Sequence, residues 1–158
     1  MGMELRLIEN AKESLQVTVT YPVMNQHVEQ LIKRIKSMDI KIIGELEGKN
    51  TCVAIEEIYY IESLERKTFI YTQNQVFKTS KKLYILLEEL GPFGFLQVSK
   101  SCLININVLD HVRTLFNSRL EATLTNGEKI IIARTYIPAV KQWLQGEVKA
   151  YERKEEVY

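Results

Sequence analysis

The residues best suited to chemistry lie in one stretch, Gln97-Val98-Ser99-Lys100-Ser101-Cys102-Leu103-Ile104-Asn105-Ile106-Asn107. Cys102, Leu103, Ile104 and Ile106 are apolar and expected in a core, whereas Ser99, Lys100, Ser101, Asn105 and Asn107 offer hydrogen bonds. Small hydroxyls beside a lysine suit phosphate oxygens and base edges. By itself the pattern fits a buried strand with a polar turn better than a binding site, so its meaning rests on its surroundings. Other chemistries find less support. There is no Gly-rich phosphate loop, no Cys-x-x-Cys and no Ser–His–Asp order. Glu56-Glu57 and Glu88-Glu89 are adjacent pairs without a His or Asp at ligand spacing. Cys52, Cys102, His27 and His111 are not at zinc-finger spacing. Neither an enzyme nor a metal or organic cofactor is expected.

The elements that must hold these residues come from a chain of 158 residues, enough for one domain with a small appendage. Hydrophobic residues make up 46% and charged residues 26%, the balance of a soluble globular protein. No apolar run suits a membrane span, and the first residues lack a signal-peptide core. Two widely separated cysteines, Cys52 and Cys102, suggest a reducing, cytoplasmic setting. The net charge is +1, so a nucleic-acid binder of this composition must gather its cations on one face.

Residues 1–47 read as a small β-β-α-β unit. Leu5 and Leu7 alternate with charged residues, and Leu15, Val17, Val19 and Tyr21 alternate with polar ones, predicting two strands. Asn25 is the expected cap of a helix over Gln26–Met38, whose apolar face is Val28, Leu31, Ile32, Ile35 and Met38. Ile40, Ile42 and Ile43 predict a strand ending near Gly44. His27 reads as a surface residue.

From Gly48 short strands dominate: Thr51–Ile55, Ile58–Ile61, Thr68–Tyr71, Val76–Lys78 and Phe95–Val98, the last running into the central stretch. Thr79 or Ser80 should cap a helix carrying Leu83, Leu86, Leu87 and Leu90, stopped by Gly91-Pro92. Val108-Leu109-Asp110 should turn, and Asn117-Ser118 should join Val112–Phe116 to Arg119–Leu124. Asn126-Gly127 predicts a type I′ hairpin from there to Lys129–Ala133. A last helix with Ile137, Val140 and Leu144 should reach Gly146, and the charged residues 147–158 should form a frayed tail.

Several of these pieces together resemble a known family. They are Glu57-Ile58-Tyr59-Tyr60-Ile61-Glu62, the basic Arg66-Lys67-Thr68, the leucines of 83–90, and Phe95 with Ser99-Lys100-Ser101-Cys102-Leu103-Ile104-Asn105. The hairpin at Asn126-Gly127 and then Ala133-Arg134-Thr135-Tyr136 complete the order. Residues 48–146 thereby resemble the LytTR DNA-binding domain of bacterial transcriptional regulators. Two positions depart from the pattern: Ser99 stands where the family commonly has His, and Thr135 replaces the second base of its closing motif.

The resemblance implies a mainly β fold with minor α, elongated and multi-stranded, that inserts loops into successive major grooves. It implies DNA contacts from Arg66, Lys67, Thr68, Lys100, Ser101, Arg134 and Thr135, with Asn105 as a structural turn residue. The expected partner is double-stranded DNA at promoter repeats. Residues 1–47 lack the acidic cluster of a phosphoacceptor domain. They are expected instead to form a homodimer or meet a regulatory protein. The alternative is a LytTR-like interaction module with weak or no DNA binding, motivated by Ser99, Thr135 and the near-neutral charge. Cys102 is expected to be a buried small hydrophobe; exposure beside Lys100 would instead make it a redox-sensitive thiol.

Overall fold

The computed structural model describes residues 3–145; the charged tail at 147–158 lies outside the described residues. Ten strands carry the fold: β1 (Lys41–Leu46), β2 (Lys49–Ala54), β3 (Tyr60–Leu64), β4 (Lys67–Tyr71), β5 (Val76–Thr79), β6 (Phe95–Ser99), β7 (Cys102–Asn105), β8 (Leu109–Thr114), β9 (Leu120–Leu124) and β10 (Lys129–Ile132). Seven form an antiparallel sheet in the order β2-β1-β5-β4-β3-β7-β6, and three form a second sheet in the order β10-β9-β8. The helices are α1 (Gln26–Ser37), α2 (Leu83–Leu90) and α3 (137–145). The architecture is thus mostly β, as the sequence predicts.

Alternation along the strands divides the apolar residues between two cores. Ile61, Ile70, Phe77, Phe95 and Leu103 turn to one face of the large sheet, where Leu86 and Leu90 of α2 cover them. Val98, Cys102 and Ile104 turn to the other face and pack against Leu120, Ala122 and Ile132 of the small sheet and Val140 of α3. β7 lies between the two cores, and all four of its residues are buried. Its last residue, Asn105, is only 2% exposed. Its amide donates to the Ile58 carbonyl at 2.8 Å and accepts from the Asn107 N–H at 3.1 Å. The side chain thereby fixes the end of β7 against the start of β3.

Asn25 caps α1 by accepting from the Val28 N–H at 3.0 Å. The helix settles only partly on the domain: Val28 and Ser37 are buried, while Leu31, Ile32 and Ile35 are half-buried. The two strands expected before it do not form. Leu5, Leu7, Leu15 and Val17 lie in irregular, exposed chain. Alternation makes a segment fit for a sheet, but a strand needs a neighbour to pair with, and these residues have none among the described residues. The strand after α1 does form, and it runs through Gly44 to Leu46. Gly44 stays within it because the Phe77 side chain of β5 lies over it; a Cβ there would approach the Phe77 Cβ to 2.6 Å. Since β1 pairs with both β2 and β5, it is an interior strand of the large sheet.

Other differences are local. α2 is capped by Lys82 without a side-chain bond, and Thr79 Oγ1 instead accepts from the Lys81 N–H at 3.3 Å. Gly91-Pro92 does not stop the chain's winding, which continues as a 3-10 turn through Phe93. The turn expected at Val108–Asp110 lies earlier, at Ile106–Val108, and β8 begins at Leu109. At Asn126-Gly127 only the glycine takes a positive φ, 87°. Gly127 N–H donates to Leu124 O at 2.9 Å and Leu124 N–H to Glu128 O at 2.8 Å. The hairpin is therefore a type I turn closed by a glycine bulge, not the type I′ pair.

Asn105→Ala should destabilise the fold by about 1–3 kcal/mol, because it leaves the buried Ile58 carbonyl without its donor. Urea unfolding of the two proteins measures this, and equal midpoints would remove Asn105 from its structural role.

Candidate nucleic-acid interface

The register of the large sheet brings two tight turns to the same end. β3 and β4 are joined by Glu65-Arg66, and β6 and β7 by Lys100-Ser101. β3 pairs with β7 through Glu62↔Cys102, so both turns point the same way. The Ser63 N–H donates to the Ser101 carbonyl at 2.8 Å, extending the pairing to the tip itself. Ser99 Oγ accepts from the Ser101 N–H at 3.2 Å and holds the short turn closed. Lys100 and Ser101 are exposed. The lysine therefore stands on a fixed backbone with its side chain in water.

Glu65 and Arg66 have φ values of 50° and 66°, a type I′ turn built without glycine or asparagine. Left-handed backbone is costly for residues with a Cβ, and the strands on either side hold it here. Arg66 and Lys67 are exposed. Thr68 is a correction to the expected site: it is only 4% exposed. Strand alternation sends it to the face of Ile70, beneath α2, opposite Ser63 and Thr79. Its hydroxyl cannot join Lys67 at the surface.

Arg134 and Thr135 open a 3-10 turn after β10, and both are exposed. The Ala133 N–H donates to the Val98 carbonyl at 2.8 Å, which sets this turn beside the Lys100 hairpin. One end of the molecule thus presents Arg66 and Lys67, then Lys100 and Ser101, then Arg134 and Thr135. Arg134 is already engaged in part, since its Nη2 donates to the Asn117 carbonyl at 2.9 Å. That bond draws the β8–β9 turn to the same end. The pairing Thr68↔Thr79 brings Ser80-Lys81-Lys82 there as well. Lys81 is held by Glu89 at 2.7 Å, while Lys82 is exposed. These added residues carry no local sequence signal; only the strand order reveals them.

At the end of the β3–β4 hairpin away from the Arg66 tip lies a partly buried aromatic pair. Tyr60 and Tyr71 stack with ring centroids 4.2 Å apart and planes 10° from parallel. Burial raises the Tyr71 phenol, and nearby Glu62, which accepts its hydroxyl at 3.3 Å, adds to the effect. Tyr60 is raised in the same direction, chiefly by burial. Cys102 is buried, and burial, with Glu62 second, pushes its thiol up to about 12. A thiol so placed stays protonated at neutral pH, which rules against the redox-sensitive alternative. Among the described residues, no group of three or more His, Cys, Asp and Glu could hold a metal ion. No described helix is long and apolar enough to cross a membrane.

A mostly antiparallel fold with cationic hairpin tips along one end has the form of a β-type DNA-binding module. The chain belongs to the LytTR family: the model of the LytTr DNA-binding domain matches residues 48–145. The fold resembles the LytTr DNA-binding domain of a putative methyl-accepting/DNA response regulator from Bacillus cereus. The TM-score is 0.62 at 16% identity, covering 66% of this chain and 95% of that one. In sequence the chain is similar to the sensory transduction protein LytT of Enterococcus faecalis, at 31% identity over 69% of this chain and 44% of that protein. It is similar to LytT of Bacillus anthracis at 26% identity, over 83% of this chain and 55% of that one. The chain therefore spans about half the length of these two relatives. An uncharacterized HTH-type transcriptional regulator of Staphylococcus aureus (strain MSSA476) is 25% identical over 90% of this chain and 98% of its own length. In the present fold α1 and α2 are separated by five strands, so these two helices do not form a helix-turn-helix.

The thiols offer a direct check on the site. In the folded protein exposed Cys52 should react with a thiol reagent at pH 8, while Cys102 should react only after denaturant is added. The same burial links stability to pH. The unfolded Cys102 loses its proton near the ordinary value of 9.0 and the folded one near 12, so its contribution is intact below 9 and fades as pH rises towards 12. Cys102→Ala should lessen that alkaline decline in urea unfolding; fast labelling of both thiols in the native state would contradict the buried placement.

Proposed function

We propose that this protein is a sequence-specific DNA-binding transcriptional regulator that reads promoter repeats with its strand-end turns. The observation that carries the reading is the alignment of Arg66 and Lys67, Lys100 and Ser101, and Arg134 and Thr135 at one end of the fold. A chain of net charge +1 that gathers exposed cations there has a local field its composition does not reveal. The strand-end turns that carry Arg66-Lys67, Lys100 and Arg134 enter successive major grooves. Their cations contact phosphates and offer bidentate readout of guanine. Ser101 and Thr135 accept or donate at phosphate oxygens.

Lys100 is the residue assigned to base readout, because the flanking Ser99 and Ser101 hold the backbone beneath it. If it reads a base, Lys100→Ala costs about 1–3 kcal/mol on the preferred duplex and relaxes preference at one base pair. If it only neutralises phosphate, affinity drops equally on all sequences and the salt slope shrinks by roughly one. Salt titrations of wild type and Lys100→Ala on one preferred and one scrambled duplex distinguish the roles. Equal binding by both proteins at every salt concentration would put the DNA face elsewhere. Salt-indifferent or absent binding by the wild type would favour the interaction module.

The segment before α1 supports a second proposal, that residues 1–47 bring two copies together. Leu15 is 95% exposed and Val17 60%, in an alternating run with no strand beside it among the described residues. Pairing with a second copy would bury these side chains and tether two DNA modules, which raises affinity for paired sites through effective concentration. Sedimentation of the full chain should show a dimer, and Leu15→Asp with Val17→Asp should yield a monomer that still binds one half-site. A wild-type monomer at DNA-binding concentrations would defeat this idea.

A further inference from the structure

Resting on that reading, we propose that the β8–β9 turn is an additional DNA-contacting element, with Phe116 as an apolar groove contact and Arg119 as a phosphate contact. Neither residue belongs to the expected set. The turn spans residues 115–119, between the ends of β8 and β9. It is closed by Leu115 N–H to Arg119 O at 2.7 Å and Ser118 N–H to Leu115 O at 3.1 Å, with Ser118 at φ 62°. It is therefore a defined shape and not a loose loop.

Its position follows from two links already described. Ala133 joins Val98 beside the Lys100 hairpin, and the Arg134 guanidinium grips the Asn117 carbonyl at 2.9 Å. Hence the turn cannot lie farther from the cationic row than the reach of one arginine side chain. Its exposed residues differ from those of an ordinary solvated turn. Phe116 is 109% exposed, so its ring meets essentially nothing in the protein. Arg119 is exposed and appears in no ion pair among the described residues. A bare aromatic beside a free cation is poorly matched to water and well matched to a nucleic acid. Phenylalanine inserts as a wedge against base steps, and arginine pairs with phosphate.

The geometry also assigns Arg134 a second duty. With one N–H spent on Asn117 it still has donors for DNA, because a guanidinium carries five. It thus positions the turn while contacting the duplex, and its loss should release Phe116 and Arg119 as well as its own contact. The effects of the three residues should be coupled in the full chain, not additive.

The experiment is a fluorescence-anisotropy titration of the full-length protein on its preferred duplex at several salt concentrations. Phe116→Ala should weaken binding roughly tenfold, the order expected when an aromatic ring leaves water for a dry contact, without changing the salt slope. Arg119→Ala should weaken binding on every sequence and reduce the salt slope by about one. In an Arg134→Ala background, Phe116→Ala should have a clearly smaller effect than in the wild type. Thermal melting should not shift for either turn variant, since both side chains are exposed in the free protein. If Phe116→Ala and Arg119→Ala bind like wild type while Lys100→Ala is weakened, the turn lies off the interface and only this inference fails. If the wild type does not bind duplex DNA at all, the functional reading falls and takes this inference with it.

Discussion

The pairing of β3 with β7 is the constraint on which the rest of this structure depends. It joins two hairpins that are remote in sequence, and the Asn105 amide secures the far end of the pairing by reaching the Ile58 carbonyl across 47 residues. Antiparallel pairing has a period of two, so a slip of one residue would exchange the faces of the sheet. Ile61 and Leu103 would then leave the α2 core, and Tyr60 and Ile104 would leave the other. The same slip would pull the Arg66 and Lys100 turns out of line. Core and proposed interface therefore depend on one register, and a polar residue almost wholly withdrawn from water defends it. Burying an amide is favourable only when both its donor and acceptor sides are met, and few other alignments of these strands would meet them.

The proposed binding end separates tasks along each strand. Apolar side chains fix the backbone and the turn spends its polar atoms on itself, as when Ser99 closes the Lys100 hairpin. The long cationic side chains are left to reach farthest outward. The tips thus combine a held base with a mobile, charged end, an arrangement that loses little backbone entropy on association. The left-handed pair Glu65-Arg66 belongs to the same logic, with strain at the tip tolerated because paired strands on both sides enforce it.

Much of this was legible in the sequence because local chemistry and tertiary context agree there. The helix after Asn25 is specified by its cap and period, the leucine helix by its period alone, and the strands around Lys100 by their β-branched residues. Legibility failed where a neighbour decides. Leu15, Val17, Val19 and Tyr21 have flawless alternation, yet nothing among the described residues pairs with them. Thr68 looks like a companion of Lys67, but one residue along a strand reverses the face. Asn126-Gly127 favours two left-handed residues, whereas the fold needs one. The link from Arg134 to Asn117, and with it the position of the β8–β9 turn, depends on two strands meeting through a third, which no window of sequence contains.

The interior position of β1 bears on how such a module could move between proteins. The stretch that matches the family begins at Gly48, inside the β1–β2 turn. Yet β1 lies between β2 and β5 and supplies Ile42 to the core. A gene fusion that carried only the matching stretch would inherit β2 without its one partner and β5 with an uncovered edge. Recombination could join this module to a new upstream domain only by bringing β1 along or by offering a substitute strand. The structural unit is thus longer than the recognisable one, because the strand that precedes the matching stretch is part of its sheet.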